Sequence, residues 1–237
     1  YIRHRCIMKI YSDGSGLDEI EALIECLNIE GFTTNPSLMK ALGVKDYVGY
    51  CKDFLQLCQG LPVSFEVFAD DFSDMKRQAR LINEWGDNVY VKIPITNTLG
   101  ESSLPLIQEL QEEGIKVNIT AVFTKDQIDR IFSVLNCQTP SVVSVFAGRI
   151  ADTGVSPTSN VKYAVHRFRN NPNAEVLWAS CREVYNVYQA ERLGCDIVTV
   201  QNSLLKKLAL REKDLEEFSV ETVKMFRNDA MKSGYEL

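Results

Sequence analysis

Apolar residues recur in two different periods along this chain. Short β-branched runs, read as strands, alternate with longer stretches whose apolar positions follow an i, i+3, i+4 spacing, read as helices. The strand candidates are MKIYSDG, GFTTNP, VSFEVFA, VYVKIPI, KVNITAVF, SVVSVFAG, EVLWASC and CDIVTVQ. Helices are predicted after them, among others over Leu17 to Asn28, Ser102 to Glu113 and Arg182 to Leu193. In the second of these, Leu104, Ile107 and Leu110 precede Gly114, a usual helix stop. Eight such units over 237 residues favour an α/β fold, a single (β/α)8 TIM barrel, over an open doubly wound sheet. One more amphipathic helix is predicted over Ser219 to Lys232, able to cover the barrel or to exchange with a neighbouring subunit. Residues 8–237 are read as one barrel domain, and residues 1–7 as a leader ahead of the natural start MKIYSD.

One residue breaks the apolar pattern. Lys92 lies inside VYVKIPI, where an ammonium group is costly unless paired, exposed or neutral. Other polar residues gather at the carboxyl ends of the predicted strands, where a barrel of this kind carries its chemistry. They are Asp13, then Thr33, Thr34 and Asn35, then Glu66, Asn118 and Thr120, Ser144 and Arg149 of strand six and its end, and Ser180 and Arg182 ending strand seven. Alternation puts Asn118 and Thr120 on one side, and Tyr90 and Lys92 likewise. Each has a plainer reading: Lys92 as a snorkelling or edge lysine, TTNPS as a turn and helix N-cap, Glu66 as half of a structural ion pair. Asp70 and Asp71 are read as loop or helix-start charges. The convergence of so many polar groups on one barrel mouth argues for a site.

The residue types suggest its chemistry. A desolvated lysine amine loses its proton more easily and attacks carbonyls, and the resulting imine draws electrons from a neighbouring carbon–carbon bond. Glu66 and Asp13 are the carboxylates available to move protons, and Thr120 could hold a water between Glu66 and the imine. Arg149 and Arg182 could clamp a phosphate.

Composition narrows the alternatives. The chain is 45% hydrophobic and 24% charged with net charge -6, so neither nucleic acid nor a membrane surface is an expected partner. No apolar run approaches the ~18 residues of a membrane span. Seven scattered cysteines without a CxxC pair suggest reduced thiols in a cytoplasmic protein. With only His4 and His166, and no glycine-rich nucleotide motif, neither a metal nor a cofactor is expected.

GFTTNPSL, VYVKIPIT, VNITAVFT and VSVFAGRIAD resemble the signatures of the transaldolase family, class I Schiff-base aldolases. The resemblance runs from about Met8 to the C-terminus, and the length is similar to the short subfamily that includes fructose-6-phosphate aldolase. It implies that Lys92 forms the Schiff base, that Asp13 is the acid/base aspartate, and that Glu66 activates a water with Thr120. Asn35 and Asn118 would bind substrate hydroxyls, and Thr33 would line the same pocket. Ser144, Phe146, Arg149, Ser180 and Arg182 complete the implied substrate site, the two arginines on the phosphate. The implied reaction moves a dihydroxyacetone unit from a ketose phosphate, such as sedoheptulose 7-phosphate, to an aldose phosphate such as glyceraldehyde 3-phosphate. An aldolase releasing free dihydroxyacetone, a transaldolase-like enzyme acting on another sugar, and a non-catalytic sugar-phosphate-binding barrel are the competing readings. Fructose-6-phosphate aldolase has glutamine at Glu66 and tyrosine at Phe146, so this chain resembles the transaldolases at both. It departs from the family at Val145, Ala147, Trp178 and Cys181, the last in an aromatic position. The resemblance also implies a homo-oligomer, a pentamer or decamer, with the C-terminal helix reaching a neighbour.

Overall fold

The structure is a computed structural model that describes residues 7–235. Eight parallel strands close into a barrel in the order β1 to β8. They are β1 (Lys9–Asp13), β2 (Gly31–Thr33), β3 (Val63–Glu66), β4 (Val89–Pro94), β5 (Val117–Val122), β6 (Ser141–Val145), β7 (Ala174–Trp178) and β8 (Ile197–Val200). Closure is made by β1 against β8, with Tyr11 opposite Thr199. The α/β barrel predicted from the apolar periods is the fold observed.

Both faces of the strands are buried, which is why they read as near-continuous apolar runs. Phe65, Val91, Ile93, Ile119, Val143, Val176, Trp178 and Val198 face the helices and are almost wholly inaccessible. Inside the barrel, Tyr11, Val142, Leu177, Ala179 and Ile197 pack together with Tyr90 and Phe146 against them. Inward positions further along the same strands turn polar: Asp13, Thr33, Glu66, Lys92, Asn118, Thr120, Ser144 and Thr199. Because successive strand residues alternate faces, the apolar plug and the polar layer above it share one parity of each strand.

The helices are more numerous than one per strand. They are α1 (Ile20–Leu27), α2 (Pro36–Ala41), α3 (Tyr47–Leu57), α4 (Phe72–Asn83), α5 (Leu104–Glu112), α6 (Lys125–Val134), α7 (Ala147–Asp152), α8 (Thr158–Phe168), α9 (Tyr185–Leu193) and α10 (Asn202–Leu205). Two connections, β2 to β3 and β6 to β7, carry two helices each. Asn35 starts α2 by accepting from the Leu38 amide at 3.0 Å, with Pro36 at the first turn. Asp71 caps α4 through the Ser73 and Asp74 amides, and Asp70 binds the Thr98 amide and hydroxyl at 2.7 and 2.6 Å. Both aspartates are therefore structural, and Asp70 ties two loops together.

The chain divides after Leu205 into two compact units. The second contains a short 3-10 turn (Lys206–Leu210) and α11 (Leu215–Ser233), capped by Asp214, and α11 starts before the predicted Ser219. The leader reading falls on residues outside those described, except for the exposed Ile7.

Candidate active site

The carboxyl ends of the strands surround a cavity of about 370 Å³. The twelve residues given catalytic or substrate-binding roles by the resemblance all line it, namely Asp13, Thr33, Asn35, Glu66, Lys92, Asn118, Thr120, Ser144, Phe146, Arg149, Ser180 and Arg182, whereas Thr34 does not.

Lys92 reaches it from β4 and is only 6% exposed. Its Nζ donates to the Thr34 carbonyl at 2.7 Å and to Glu66 Oε2 at 3.1 Å. The register explains the second contact, since Glu66 and Lys92 are direct partners across β3 and β4. A buried ammonium with two acceptors is compensated, so the anomaly in the strand is resolved by pairing. The same carboxylate can take a proton from the amine.

Asp13 enters from β1 and accepts from Thr33 Oγ1 at 2.8 Å. Burial pushes its carboxyl above the usual carboxylate range and Glu66 adds to the rise, while Lys92 and the Thr33 hydrogen bond oppose it. Thr120 is 2% exposed, and its hydroxyl oxygen has no hydrogen-bond partner. A buried hydroxyl left unpaired beside a cavity is suited to hold a water or a ligand. Beside it Ala121 adopts φ 57° where the β5–β6 register shifts between Ile119 and Val122. This bulge re-aims the end of β5.

Asn118 is held from both sides, donating from Nδ2 to Ser64 Oγ at 3.0 Å and accepting from Ser144 Oγ at 2.6 Å. These contacts orient its amide, so it and Ser144 act as one polar wall. Asn35 combines the two readings open in the sequence, as N-cap of α2 and as cavity residue.

The arginines stand at strand exits but not on strands. Arg149, read as the end of strand six, lies in the first turn of α7 because β6 stops at Val145. It is exposed and has no ion-pair partner among the described residues. Ser180 and Arg182, read as the end of strand seven, lie in the loop after Trp178. Arg182 grips Asp152 through both Nε, at 3.1 Å, and Nη2. Ser180 has φ 65°, and its carbonyl lies against Gly148, where an added Cβ would sit 1.5 Å away. Loop and helix are thus locked together at closest approach.

Several lining residues escaped the sequence reading: Leu38, Leu177, Ala179, Thr199 and Gln201. Thr199 was within reach, since it is a polar residue near the end of β8. Of the four departures from the family pattern, only Cys181 lines the cavity. Its buried thiol is pushed up to about 12 and is not a nucleophile at neutral pH. Val145, Ala147 and Trp178 are buried and do not line the cavity.

Residues 10–237 match the family described as Transaldolase/Fructose-6-phosphate aldolase. This chain belongs to that family. A protein of Thermoanaerobacter sp. (strain X514) named "Probable transaldolase" is 32% identical over 232 residues, covering 97% of this chain and 100% of that one. One of the same name from Nitrosopumilus maritimus (strain SCM1) is 34% identical over 206 residues, 85% of this chain and 87% of that protein. Among solved structures, 3-hexulose-6-phosphate synthase from Salmonella typhimurium aligns with a TM-score of 0.56 at 14% identity, over 84% of this chain and 90% of that one. That likeness is one of fold alone. In this chain the lysine of VYVKIPI and its neighbours line the cavity at the strand ends, where this fold carries function.

Proposed function

We propose that the protein is a transaldolase that moves a dihydroxyacetone unit from a ketose phosphate to an aldose phosphate through a Schiff base on Lys92. The observation that carries the reading is the buried Lys92 amine, 3.1 Å from the Glu66 carboxylate in a cavity that also holds Asp13 and two guanidinium groups. Lys92 gives a proton to Glu66 and adds to the ketose carbonyl; loss of water from the carbinolamine leaves a protonated imine. Asp13 takes the proton of the substrate hydroxyl beside the bond to be broken, that carbon–carbon bond cleaves, and the aldose departs. Its electron pair stays on the dihydroxyacetone carbon as an enamine in conjugation with the Lys92 nitrogen. The enamine attacks the acceptor aldehyde, Asp13 returns the proton, and a water held by Glu66 and Thr120 hydrolyses the imine. Asn35, Asn118, Ser144 and Thr33 bind sugar hydroxyls or shape the cavity beside Phe146, while Arg149, Arg182 and Ser180 hold the phosphate.

Glu66 and Phe146 support transfer over simple aldol cleavage, because fructose-6-phosphate aldolase has glutamine and tyrosine there. The reading includes a cytoplasmic setting, supported by six free cysteines among the described residues, and a homo-oligomer of five or ten chains. Borohydride with donor ketose phosphate is expected to add the mass of the dihydroxyacetone unit or the ketose to the Lys92 peptide. Lys92→Arg should abolish both labelling and turnover, and wild-type protein that stays unlabelled with every ketose phosphate refutes the mechanism. Without acceptor aldehyde, turnover should be slight.

A further inference from the structure

On β8, Thr199 takes no part in the reaction as written, yet it is tied to Asp13 through one intermediate. Its Oγ1 lies 2.5 Å from Thr33 Oγ1, which donates to Asp13 Oδ1 at 2.8 Å. Thr33 and Thr199 are each 4% exposed. β8 and β2 flank β1, so the three side chains form a row across the barrel interior.

A hydroxyl has one proton and two lone pairs. When Asp13 is ionised, the single Thr33 proton points to the carboxylate, so Thr199 donates to Thr33. When Asp13 is protonated on Oδ1, the oxygen that faces Thr33, its proton points to Thr33 and the Thr33 proton turns to Thr199. The row therefore has two polarities, one for each protonation state of an acid/base group. Resting on the reading of Asp13 given above, we propose that Thr199 is a positioning residue for the reaction, acting through Thr33 so that Asp13 is hydrogen-bonded both as base and as acid.

Removing the Thr199 hydroxyl affects the two states unequally. With Asp13 ionised, Thr33 loses only a donor to one of its lone pairs. With Asp13 protonated on Oδ1, a buried Thr33 proton has no acceptor, and orphaned donors are the rarer and costlier defect. The charged and titratable groups facing Asp13 are Lys92 from β4, Glu66 from β3 and the Cys181 thiol after β7, none of which the change touches.

Thr199→Val is nearly isosteric, and Thr199→Ala serves as a second version should the first pack badly. Either is expected to form the borohydride-trapped Lys92 imine as wild type does, but to lower kcat about tenfold with KM nearly constant. The acidic limb of its pH–rate profile should move to lower pH by about one unit. Thr199→Ser should restore both. On a Thr33→Val background, the loss of the Thr199 hydroxyl should cost nothing further, because the row is already cut. A limb that stays or moves to higher pH, or a penalty undiminished on the Thr33→Val background, overturns the proposal. Asp13→Asn, measured in parallel, separates the levels. If it turns over normally, the acid/base reading of Asp13 fails and this inference with it. If it is inactive while both Thr199 variants match wild type, this inference alone fails.

Discussion

Lys92 and Asp13 meet burial in opposite ways. The amine has a carboxylate and a carbonyl within hydrogen-bond distance, so its charge is matched where it stands. The Asp13 carboxyl is not fully matched, and burial leaves it above its ordinary range despite Lys92 and Thr33. A carboxyl raised on folding stabilises the native state below its unfolded value, and that contribution is lost as pH rises through the folded value. Asp13 is therefore most costly to the fold once the pH is above its folded value. Asp13→Asn is expected to unfold a few degrees above wild type at pH 7, with the advantage disappearing below about pH 4, while losing transfer activity. Calorimetry across that pH range checks the sign, and a lower melting temperature at pH 7 would refute it. The same two residues show how much of the site could be read beforehand. Strand alternation gathers the inward side chains, so Lys92, Glu66, Asn118 and Thr120 were legible as a group. The Thr34 carbonyl that holds Lys92 is backbone and has no signature in residue type. Asp152, paired with Arg182, reads as one more helix charge until the chain is folded.

Strain at element ends sets the geometry that those side chains use. Ala121 and Ser180 both have positive φ without being glycine, one at the bulge beside Thr120 and the other in the loop carrying Arg182. Such conformations cost of order 1–3 kcal/mol and persist where surrounding structure dictates them. At Ser180 that constraint is visible, since its carbonyl fills the space a side chain at position 148 would need. Gly148→Ala is expected to cost about 3 kcal/mol and to raise KM for phosphorylated substrates, because α7 and the β7 loop carry Arg149 and Arg182. Denaturant unfolding gives the first number, and comparison with a phosphate-free substrate gives the second. A variant of unchanged stability would mean the close approach is not maintained in solution. Strand existence was legible because buried parallel strands are apolar on both faces. Element ends were not. The doubled helices after β2 and β6, and Arg149 moving from strand end into α7, depend on where TTNPS and FAGR stop pairing and start turning, which periodicity does not encode.

At the scale of the whole molecule, the cavity draws on only one of the two units. Every residue lining the cavity belongs to the unit that ends at Leu205, from Asp13 to Gln201. The remaining unit is of a different character: α11 contains Leu215, Phe218, Met225 and Phe226, all exposed. At 100° per residue these four fall within about 100° of the helix circumference, the width of a buried helix face, while Val220, Val223 and Met231, also exposed, lie off that arc. An exposed apolar stripe of this kind usually marks a protein–protein contact. If the stripe docks on neighbouring chains, the intact protein should sediment as a multiple of the subunit mass. Phe218→Glu combined with Phe226→Glu should then reduce that mass towards the single chain. Because the cavity draws on one unit of one chain, the dissociated variant should still form the trapped imine on Lys92. An intact chain that sediments as a monomer, or a double variant that assembles unchanged, would sink the role given to α11. Dissociation accompanied by loss of the imine would instead show that assembly holds the barrel mouth in its reactive shape.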